Sequence, residues 1–436
     1  MANPNGTSSN NLTSLNTMFK YVQDKAQSLL PENAVLLKLV PELTSNTEEG
    51  RKYLIPVQLT HENGITYGDG TVFALNAASS AVYDEISVDS YPMVLLTQIS
   101  ESVAGRMANS EKAFITESTL RAEVMYQSLA RFYEISMLYG QAVGGIGTSI
   151  VTTSVASGTT GTCYITAAAY APGIFAGAVG ANINFYDSAG ALVSTAADSV
   201  FTITAVTHSN TAPSFALLGT ATGVTALSTA FGAGSCVIVF NGAGGSSAVN
   251  GNDMIGLDAQ IVGGTTTFGI NAALYPLWQG QTYSCGSAAL TMSKVLSGIG
   301  QCVAVGGLNS EAVLMVSAAT YQNLNADQAA LRQYDGSYSG KDAENGSEDI
   351  TYRGPNGKIT VMVNNITKQG EAHAIPKKYV KRVGVHEISF KRPGKDDEFF
   401  QEIPGYAGYS LRASGDFCVL LEKPAQAVKF TLIVNS

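Results

Sequence analysis

A long stretch without basic residues in the middle of the chain is the feature that most restricts how this sequence can fold. No Lys or Arg lies between Arg131 and Lys294, and from about 148 to 251 the only charged side chains are Asp187 and Asp198. Short strands separated by turns predict a small β-sandwich or β-barrel, which we interpret as an inserted domain. The β-type runs in this stretch are 163–167, 183–186, 200–206 and 236–240.

One long helix is predicted directly before this stretch, from about Ser110 to Tyr139. Ala122, Met125, Leu129 and Phe132 recur every three to four residues, which is the spacing of one helix face. Glycines follow and end the pattern. At about 1.5 Å per residue the helix would be roughly 45 Å long, which is the size of a scaffold element.

The N-terminal region predicts an arm followed by a hairpin. Residues 1–45 are polar apart from two short apolar pieces, 18–30 and 34–40, which prolines end. Two β-rich segments, Leu54–Leu59 and Thr71–Leu75, flank the turn-rich sequence HENGITYGDG and predict an extended hairpin. A lone hairpin is only marginally stable in water, so we expect it to lie on another surface.

The C-terminal part of the chain predicts two more helices and several strands. The residue patterns place helices at 287–303 and 318–334. The turn GPNG joins two β-rich segments and predicts a hairpin. The strands expected here are 350–353, 358–363, 386–390, 417–421 and 429–434.

Composition narrows the class of protein. Only 14% of the residues are charged, against roughly 25% in ordinary soluble domains, which indicates that much of the surface is neutral β-structure or is buried between subunits. The net charge of −9 argues against a basic nucleic-acid-binding protein. The N-terminus does not have the pattern of a signal peptide, and the most apolar window, 167–185, contains Pro172 and several glycines, so no membrane span is expected. Five scattered cysteines predict reduced, buried thiols.

Patterns typical of catalysis are weak throughout. His61-Glu62 precedes Asn-Gly and therefore marks a turn rather than a metalloprotease helix, and GSYSGK at 336–341 is one residue short of a phosphate-binding loop. Asp253 and Asp258 are too few carboxylates for a calcium site, which typically takes six to eight oxygen ligands. The basic cluster around 377–382 is interpreted as a solvated face or a subunit contact. We therefore expect no enzyme, no cofactor and no metal site.

The order of the parts resembles one known family. An N-terminal arm leads into a long hairpin, the segment EISVDSYPMVLLTQIS (85–100) and the long helix. A helical block with MVSAATYQNLNADQAALRQY (315–334) and a final strand region, YSLRASGDFCVLLEKPAQA (409–427), follow. In this order the chain resembles the major capsid proteins of tailed bacteriophages, which have the Hong Kong 97-type fold.

The resemblance implies an α+β fold of the Hong Kong 97 type with a spine helix, a peripheral and an axial domain, and an extra inserted β-sandwich or barrel. The domains would be the N-terminal arm 1–45, the extended β-hairpin loop 46–80, the peripheral domain 81–147 with the spine helix, the insertion 148–252, a mainly axial region 253–385 and a return to the peripheral domain 386–436. Lys52 lies at the base of the loop and not at its tip, so we expect a shell without covalent cross-links. Only about 45 residues precede the loop, which implies a separate scaffolding protein.

By the same resemblance the extended loop and the arm would make the contacts between subunits. The side chains expected in these contacts are Leu54, Val57, Leu59, His61, Glu62, Tyr67, Phe73, Phe19 and Tyr21.

The implied function is that of a major capsid protein, which assembles with itself into pentamers and hexamers of an icosahedral shell. The implied partners are a scaffolding protein, a portal, a decoration protein and double-stranded DNA bound without sequence specificity, with no membrane. The implied location is the virion, after assembly in the host cytoplasm. Two alternatives stay open: an encapsulin-like shell of a cellular compartment, and a β-rich surface adhesin. A hydrolase would need a role for His61 or His373.

Overall fold

The computed structural model describes residues 35–41, 52–68, 70–100, 111–150, 155–195, 197–243, 251–262, 266–331, 350–355, 357–390, 400–403 and 405–435. The helices are α1 (Val35–Leu39), α2 (Glu111–Tyr139), α3 (Pro172–Phe175), α4 (Ala221–Ala233), α5 (Leu257–Val262), α6 (Met292–Gly306) and α7 (Ala318–Leu331), with 3₁₀ turns at Ala167–Ala169, Pro276–Trp278, Lys377–Tyr379 and Pro424–Gln426. The apolar piece predicted at 18–30 and the GSYSGK segment lie outside the described residues.

The strands in the first half of the chain are β1 (Lys52–Gln58), β2 (Tyr83–Asp89), β3 (Tyr91–Ser100), β4 (Gly147–Thr148), β5 (Val155–Ser157), β6 (Thr160–Tyr164), β7 (Asn182–Tyr186), β8 (Phe201–Thr207), β9 (Ser214–Leu218) and β10 (Val237–Phe240). Those in the second half are β11 (Thr266–Thr267), β12 (Ile270–Asn271), β13 (Gln281–Ala288), β14 (Ala312–Val316), β15 (Ile350–Gly354), β16 (Gly357–Val363), β17 (Ala372–Pro376), β18 (Val380–Ser389), β19 (Phe400–Glu402), β20 (Gly408–Leu421) and β21 (Val428–Ile433). None of the helices in these described parts is long and apolar enough to cross a membrane.

Most of the predicted elements are present. The long helix is α2, the helix predicted at 318–334 is α7, and the GPNG hairpin is the antiparallel pair β15–β16. The helix predicted from 287 begins five residues later, because the chain first completes β13. All five cysteines are free and buried, as expected.

The hairpin predicted between Leu54–Leu59 and Thr71–Leu75 is wrong in its second strand. The strand β1 pairs antiparallel with β2, from Lys52 opposite Asp89 to Gln58 opposite Tyr83. Ile86 and Val88 of β2 are buried, whereas the side chains of 71–75 are exposed. Strand formation follows side-chain packing more than intrinsic preference, so the β-rich composition of 71–75 did not make it a strand.

The charge-poor stretch forms a closed barrel. Its strands follow the order β4–β10–β7–β8–β9–β6–β5, and a bridge between Ser149 and Ile165 brings the end of β6 back beside β4. Of the two architectures predicted, sandwich and barrel, the structure has the barrel. Aromatic rings fill it: Phe185 contacts Phe201 and Phe231 edge-on, with centroids 5.3 and 5.6 Å apart.

Helix α4 of this barrel was not predicted from the sequence. Thr220 caps its N-terminus by accepting a hydrogen bond from Gly223 N, 3.1 Å away. Val224, Leu227 and Phe231 are buried along one side. The sequence between them is Thr, Ala, Gly and Ser, which has no charged face to reveal a helical period.

The chain divides into two compact units, of which the larger comprises 35–91, 134–383 and 418–436 and contains the barrel. Its second sheet has the strand order β13–β21–β17–β14–β16–β15. Helices α6 and α7 cover one face of this sheet, with Val295, Ile299 and Leu324 in a common core with Phe430. Side chains alternate along a strand, so Lys429 and its cross-strand neighbour His373 lie on the opposite face, where α5 packs.

The smaller unit comprises 1–34, 92–133 and 384–417. Tyr133 of α2 stacks on Phe417, with ring centroids 4.2 Å apart. Its hydroxyl donates to Gly415 O and accepts from Met93 N at 3.2 Å, which joins α2 to β3 and β20. A Cβ at Gly415 would come within 2.8 Å of the Tyr133 ring, so this close approach requires glycine.

In the larger unit, the buried carboxylate of Glu134 holds the short helix α1. Its two oxygens accept hydrogen bonds from Leu36 N at 2.6 Å and Leu37 N at 2.8 Å. Asn364 donates a further hydrogen bond at 3.1 Å. Burial raises the pKa of Glu134 to about 7 in spite of these donors. At the other end of the segment, Arg382 donates to Val40 O and Pro41 O.

We expect Glu134 to make the larger unit less stable as the pH rises from about 4.5 to 7. The folded state binds this proton more tightly than the unfolded state does, so the free energy of unfolding falls through that window. The pKa shift corresponds to a loss on the order of 3 kcal/mol. Urea unfolding at pH 5, 6 and 8 will measure it, and Glu134→Gln should flatten the dependence.

The matched control for this measurement is Glu123→Gln, because Glu123 is exposed on the same helix. Its pH dependence should equal that of the unmodified chain. Asp253 has a pKa that burial raises to about 6, so part of the slope should remain in Glu134→Gln. An unchanged slope in Glu134→Gln would contradict the role given to this carboxylate.

Candidate functional site: the extended loop and a buried charge network

The chain between β1 and β2, residues 59–82, is called the extended loop here. Its two legs run side by side and are joined at intervals. Leu59 N donates to Val82 O at 2.8 Å, and Asn63 N donates to Ser79 O at 3.1 Å. Further out, Asn76 donates its backbone N–H to Thr66 Oγ1, also at 2.8 Å. The loop therefore has a defined path without a continuous ladder of strand pairing.

The extended loop exposes large apolar side chains to solvent. Tyr67 is 89% exposed, Leu75 is 81% exposed and Val72 is fully exposed. Ile65 and Phe73 are exposed as well. Exposed apolar side chains concentrated in one segment are typical of an interaction site, because burying them against another molecule releases the water that covers them.

The structure places the predicted contact residues in three environments. Tyr67, Phe73, His61 and Glu62 are exposed on the extended loop, and Leu54 is exposed on β1. Val57 is half-buried, whereas Leu59 is only 6% exposed and packs within its own chain. Phe19 and Tyr21 lie outside the described residues.

Four exposed large apolar residues of the loop were not singled out from the sequence: Ile65, Val72, Leu75 and Val82. These residues are interspersed with Thr, Gly and Asn at irregular spacings. A pattern with period 2 or 3.6 would have revealed a face, and an irregular loop has neither. Their apolar character in a turn-rich segment was the only available signal.

A buried network of charged side chains is the second candidate site, and it lies between α5 and the sheet. Lys429 Nζ is 2.6 Å from Asp258 Oδ1 and 2.9 Å from Glu371 Oε1. His373 Nε2 lies 2.8 Å from the same Asp258 oxygen. Nearby, Lys368 donates to Gly145 O at 2.8 Å and lies over the Tyr139 ring.

The charged groups of this network shift one another's pKa values. Burial alone would raise the pKa of Asp258, but the hydrogen bond from His373 and the charge of Lys429 outweigh it and hold the pKa below its ordinary value. Burial would lower the pKa of Lys429, yet the two carboxylates raise it. Asp258, Glu371 and His373 have the donor types of a metal site. The ammonium of Lys429 already lies between the carboxylates, where a cation would bind.

The aspartates that the sequence paired as a weak calcium candidate are separated in the structure. Asp253 accepts from Ser136 Oγ at 3.1 Å and from Met254 N at 2.8 Å, apart from the network of Asp258. The partners of Asp258 are far away in the sequence, His373 by 115 positions. No local spacing could have indicated them.

Comparison with known proteins identifies the fold. No protein-family model matches the sequence, and no curated protein matches it. The chain is similar in structure to the capsid protein of Cyanophage A-1(L), with a TM-score of 0.53 and 11% identity over 95% of this chain and 96% of that one. It is also similar to the capsid protein of an empty GTA particle (TM-score 0.48, 8% identity, 94% of each chain) and to the SrpI encapsulin of Synechococcus elongatus (0.42, 6%, 96% and 95%).

The match to the cyanophage capsid protein covers nearly the whole of both chains. The chain has the Hong Kong 97-type fold of tailed-phage capsid proteins, as the resemblance in the sequence implied.

The exposure of the loop predicts how mutations will act on the isolated chain. Tyr67→Ser and Val72→Ser should change the free energy of unfolding by less than about 0.5 kcal/mol, because these two side chains lose little water on folding. Ile86→Ala in β2, a fully buried position, should cost about 2–5 kcal/mol. Denaturant unfolding of the three variants measures this difference. A large loss for the loop variants would show that the loop packs within its own chain.

Proposed function

We propose that this chain is the major capsid protein of a tailed phage, which assembles with itself into an icosahedral shell around double-stranded DNA. The observation that carries the proposal is the near full-length likeness in fold to a cyanophage capsid protein. The exposed apolar side chains of the extended loop support it, because a chain that remained a monomer would leave them in water.

In this proposal the extended loop is the contact surface between copies. The contact residues are Leu54, Val57, His61, Glu62, Tyr67 and Phe73, together with Ile65, Val72 and Leu75. Leu59 would support the loop from within its own chain, and Phe19 and Tyr21 would contribute from the N-terminal arm. Obligate interfaces often bury more than about 2,000 Å² and are apolar, which is consistent with the low proportion of charged residues.

We assign the parts as the resemblance implies. Residues 1–45 would be the arm, and 46–80 would be the β-hairpin region that contains most of the extended loop. Residues 81–147 and 386–436 would be the peripheral domain. Residues 253–385 would be mainly axial, around five-fold and six-fold centres, and 148–252 would be an insertion. The chain would then act as a structural protein and not as an enzyme.

The further partners and the location belong to the same proposal. The shell would assemble in the host cytoplasm with a scaffolding protein and a portal, would bind a decoration protein, and would end in the virion. Its net charge of −9 is consistent with DNA that is driven into the shell rather than attracted by it.

We expect the purified chain to form closed shells, or rings of five and six copies. Tyr67→Ser combined with Phe73→Ser should reduce the assembled fraction at least tenfold without unfolding the chain, because it removes apolar contact surface between copies. Sedimentation velocity separates the species, and negative-stain imaging identifies them. Leu218→Ser is the matched control, because it also removes an exposed apolar side chain but from the barrel.

Two results would contradict the proposal at different levels. A chain that stays a monomer, even when expressed with its neighbouring genes, would contradict the capsid function. A double variant that assembles as the unmodified chain does would contradict the role of the extended loop alone. Particles that contain a protein cargo and no nuclease-protected DNA would favour the cellular compartment shell.

A further inference from the structure

Two buried polar atoms of the charge network take part in none of its ion pairs or hydrogen bonds. An ionised Asp258 can only accept hydrogen bonds, so Nε2 of His373 carries the hydrogen of their hydrogen bond, and Nδ1 is the other ring nitrogen. This Nδ1 is buried without a partner among the described groups, and so is Oε2 of Glu371. Leaving buried polar atoms unpaired costs free energy, so a site that keeps two of them calls for a chemical explanation.

Three groups in this site have the arrangement needed to form an amide. The nucleophile is the Lys429 amine, the acceptor carbon is Cγ of Asp258, and the proton carrier is Glu371. Lys429 Nζ is 2.6 Å from Asp258 Oδ1 and 2.9 Å from Glu371 Oε1. The side chains of Lys429 and Asp258 are only 9% and 7% exposed, so little water is present to solvate the two ions.

We propose that Lys429 and Asp258 condense within the folded chain to form an isopeptide bond, with Glu371 as the proton carrier. Glu371 takes one proton from the Lys429 ammonium. The freed nitrogen lone pair forms the bond to Cγ of Asp258, while the N–H of His373 stabilises the negative charge on the oxygen. The second amine proton and the proton on Glu371 move to the departing oxygen, its bond to Cγ breaks, and it leaves as water.

The position of the groups favours this reaction, which has to overcome the mutual stabilisation of the ion pair. Groups held at contact distance react as though their concentration were about 10⁵–10⁸ M, which compensates for the weak reactivity of a carboxylate. The step removes one positive and one negative charge together from a buried site, where ions are costly. Lys368 and Glu371 remain, so the network contains equal charge of each sign before and after.

The bond would have a mechanical consequence. Asp258 lies on α5, and Lys429 lies on β21, between β13 and β17 of the sheet. These residues are far apart in the sequence, so the amide would close a long loop of the chain and fasten α5 to the sheet. This inference concerns a single chain and does not depend on assembly.

Intact mass spectrometry of the purified full-length chain under denaturing conditions tests the proposal. The expected mass is lower than the sequence mass by one water. Chymotryptic mapping should find one branched peptide that joins the segments containing Asp258 and Lys429. A full sequence mass in the unmodified chain would overturn the proposal. Because this measurement uses the unmodified chain, it does not depend on whether any variant folds.

Variants identify the atoms involved. Asp258→Ala and Lys429→Met should each have their full sequence mass. Asp258→Asn should lose ammonia instead of water and should therefore reach the same final mass as the unmodified chain. Glu371→Gln should slow the loss of water at least tenfold. A mass deficit that persists in Lys429→Met would contradict the assignment.

A second ion pair in the chain is the matched control. Lys381 Nζ is also 2.6 Å from a carboxylate, that of Glu422, but both side chains are about one quarter exposed. Water solvates this pair, so we expect no amide there. Lys381→Met should retain the mass deficit of one water relative to its own sequence. Loss of the deficit in this variant would show that the bond involves Lys381 and not Lys429, which would contradict the proposal.

Discussion

The extended loop carries large apolar side chains that no other described part of the chain covers. Tyr67, Val72 and Leu75 project from two legs that only a few hydrogen bonds join. Nothing in the paired strands β1 and β2 shields these side chains, since the strands end before the loop begins. In the proposed shell a second copy of the chain buries these side chains.

In the larger unit, buried charged side chains hold two helices in place. Glu134 accepts hydrogen bonds from two backbone N–H groups of α1. The ion pairs of Asp258, Lys429 and Glu371 hold α5 on the sheet. Burial disfavours the charged form of each group. Opposite charges outweigh this effect for Asp258 and Lys429, whereas the donors around Glu134 do not. The barrel needs no such pairs, because aromatic rings such as Phe185 fill its interior.

The sequence predicted the elements whose side chains repeat regularly. The apolar period of α2 and the turn between β15 and β16 were sufficient to place them. The segment 71–75 was mistaken for a strand because composition does not tell whether a partner surface exists. Helix α4 was missed because Thr, Ala and Gly give no contrast between its faces. Tyr67 and Phe73 were named from the sequence and are exposed on the extended loop, and their role as contacts stays a prediction. The partners of Asp258 come together only through the fold.

The most direct test of the central claim is hydrogen–deuterium exchange of residues 59–82 in the dissociated chain and in the assembled particle. The account predicts rapid exchange of the loop amides in the dissociated chain, where they meet solvent. It predicts strong protection of the same amides in the particle, with little change in the barrel strands. Equal exchange of the loop in both states would contradict the claim that the extended loop is buried against a second copy.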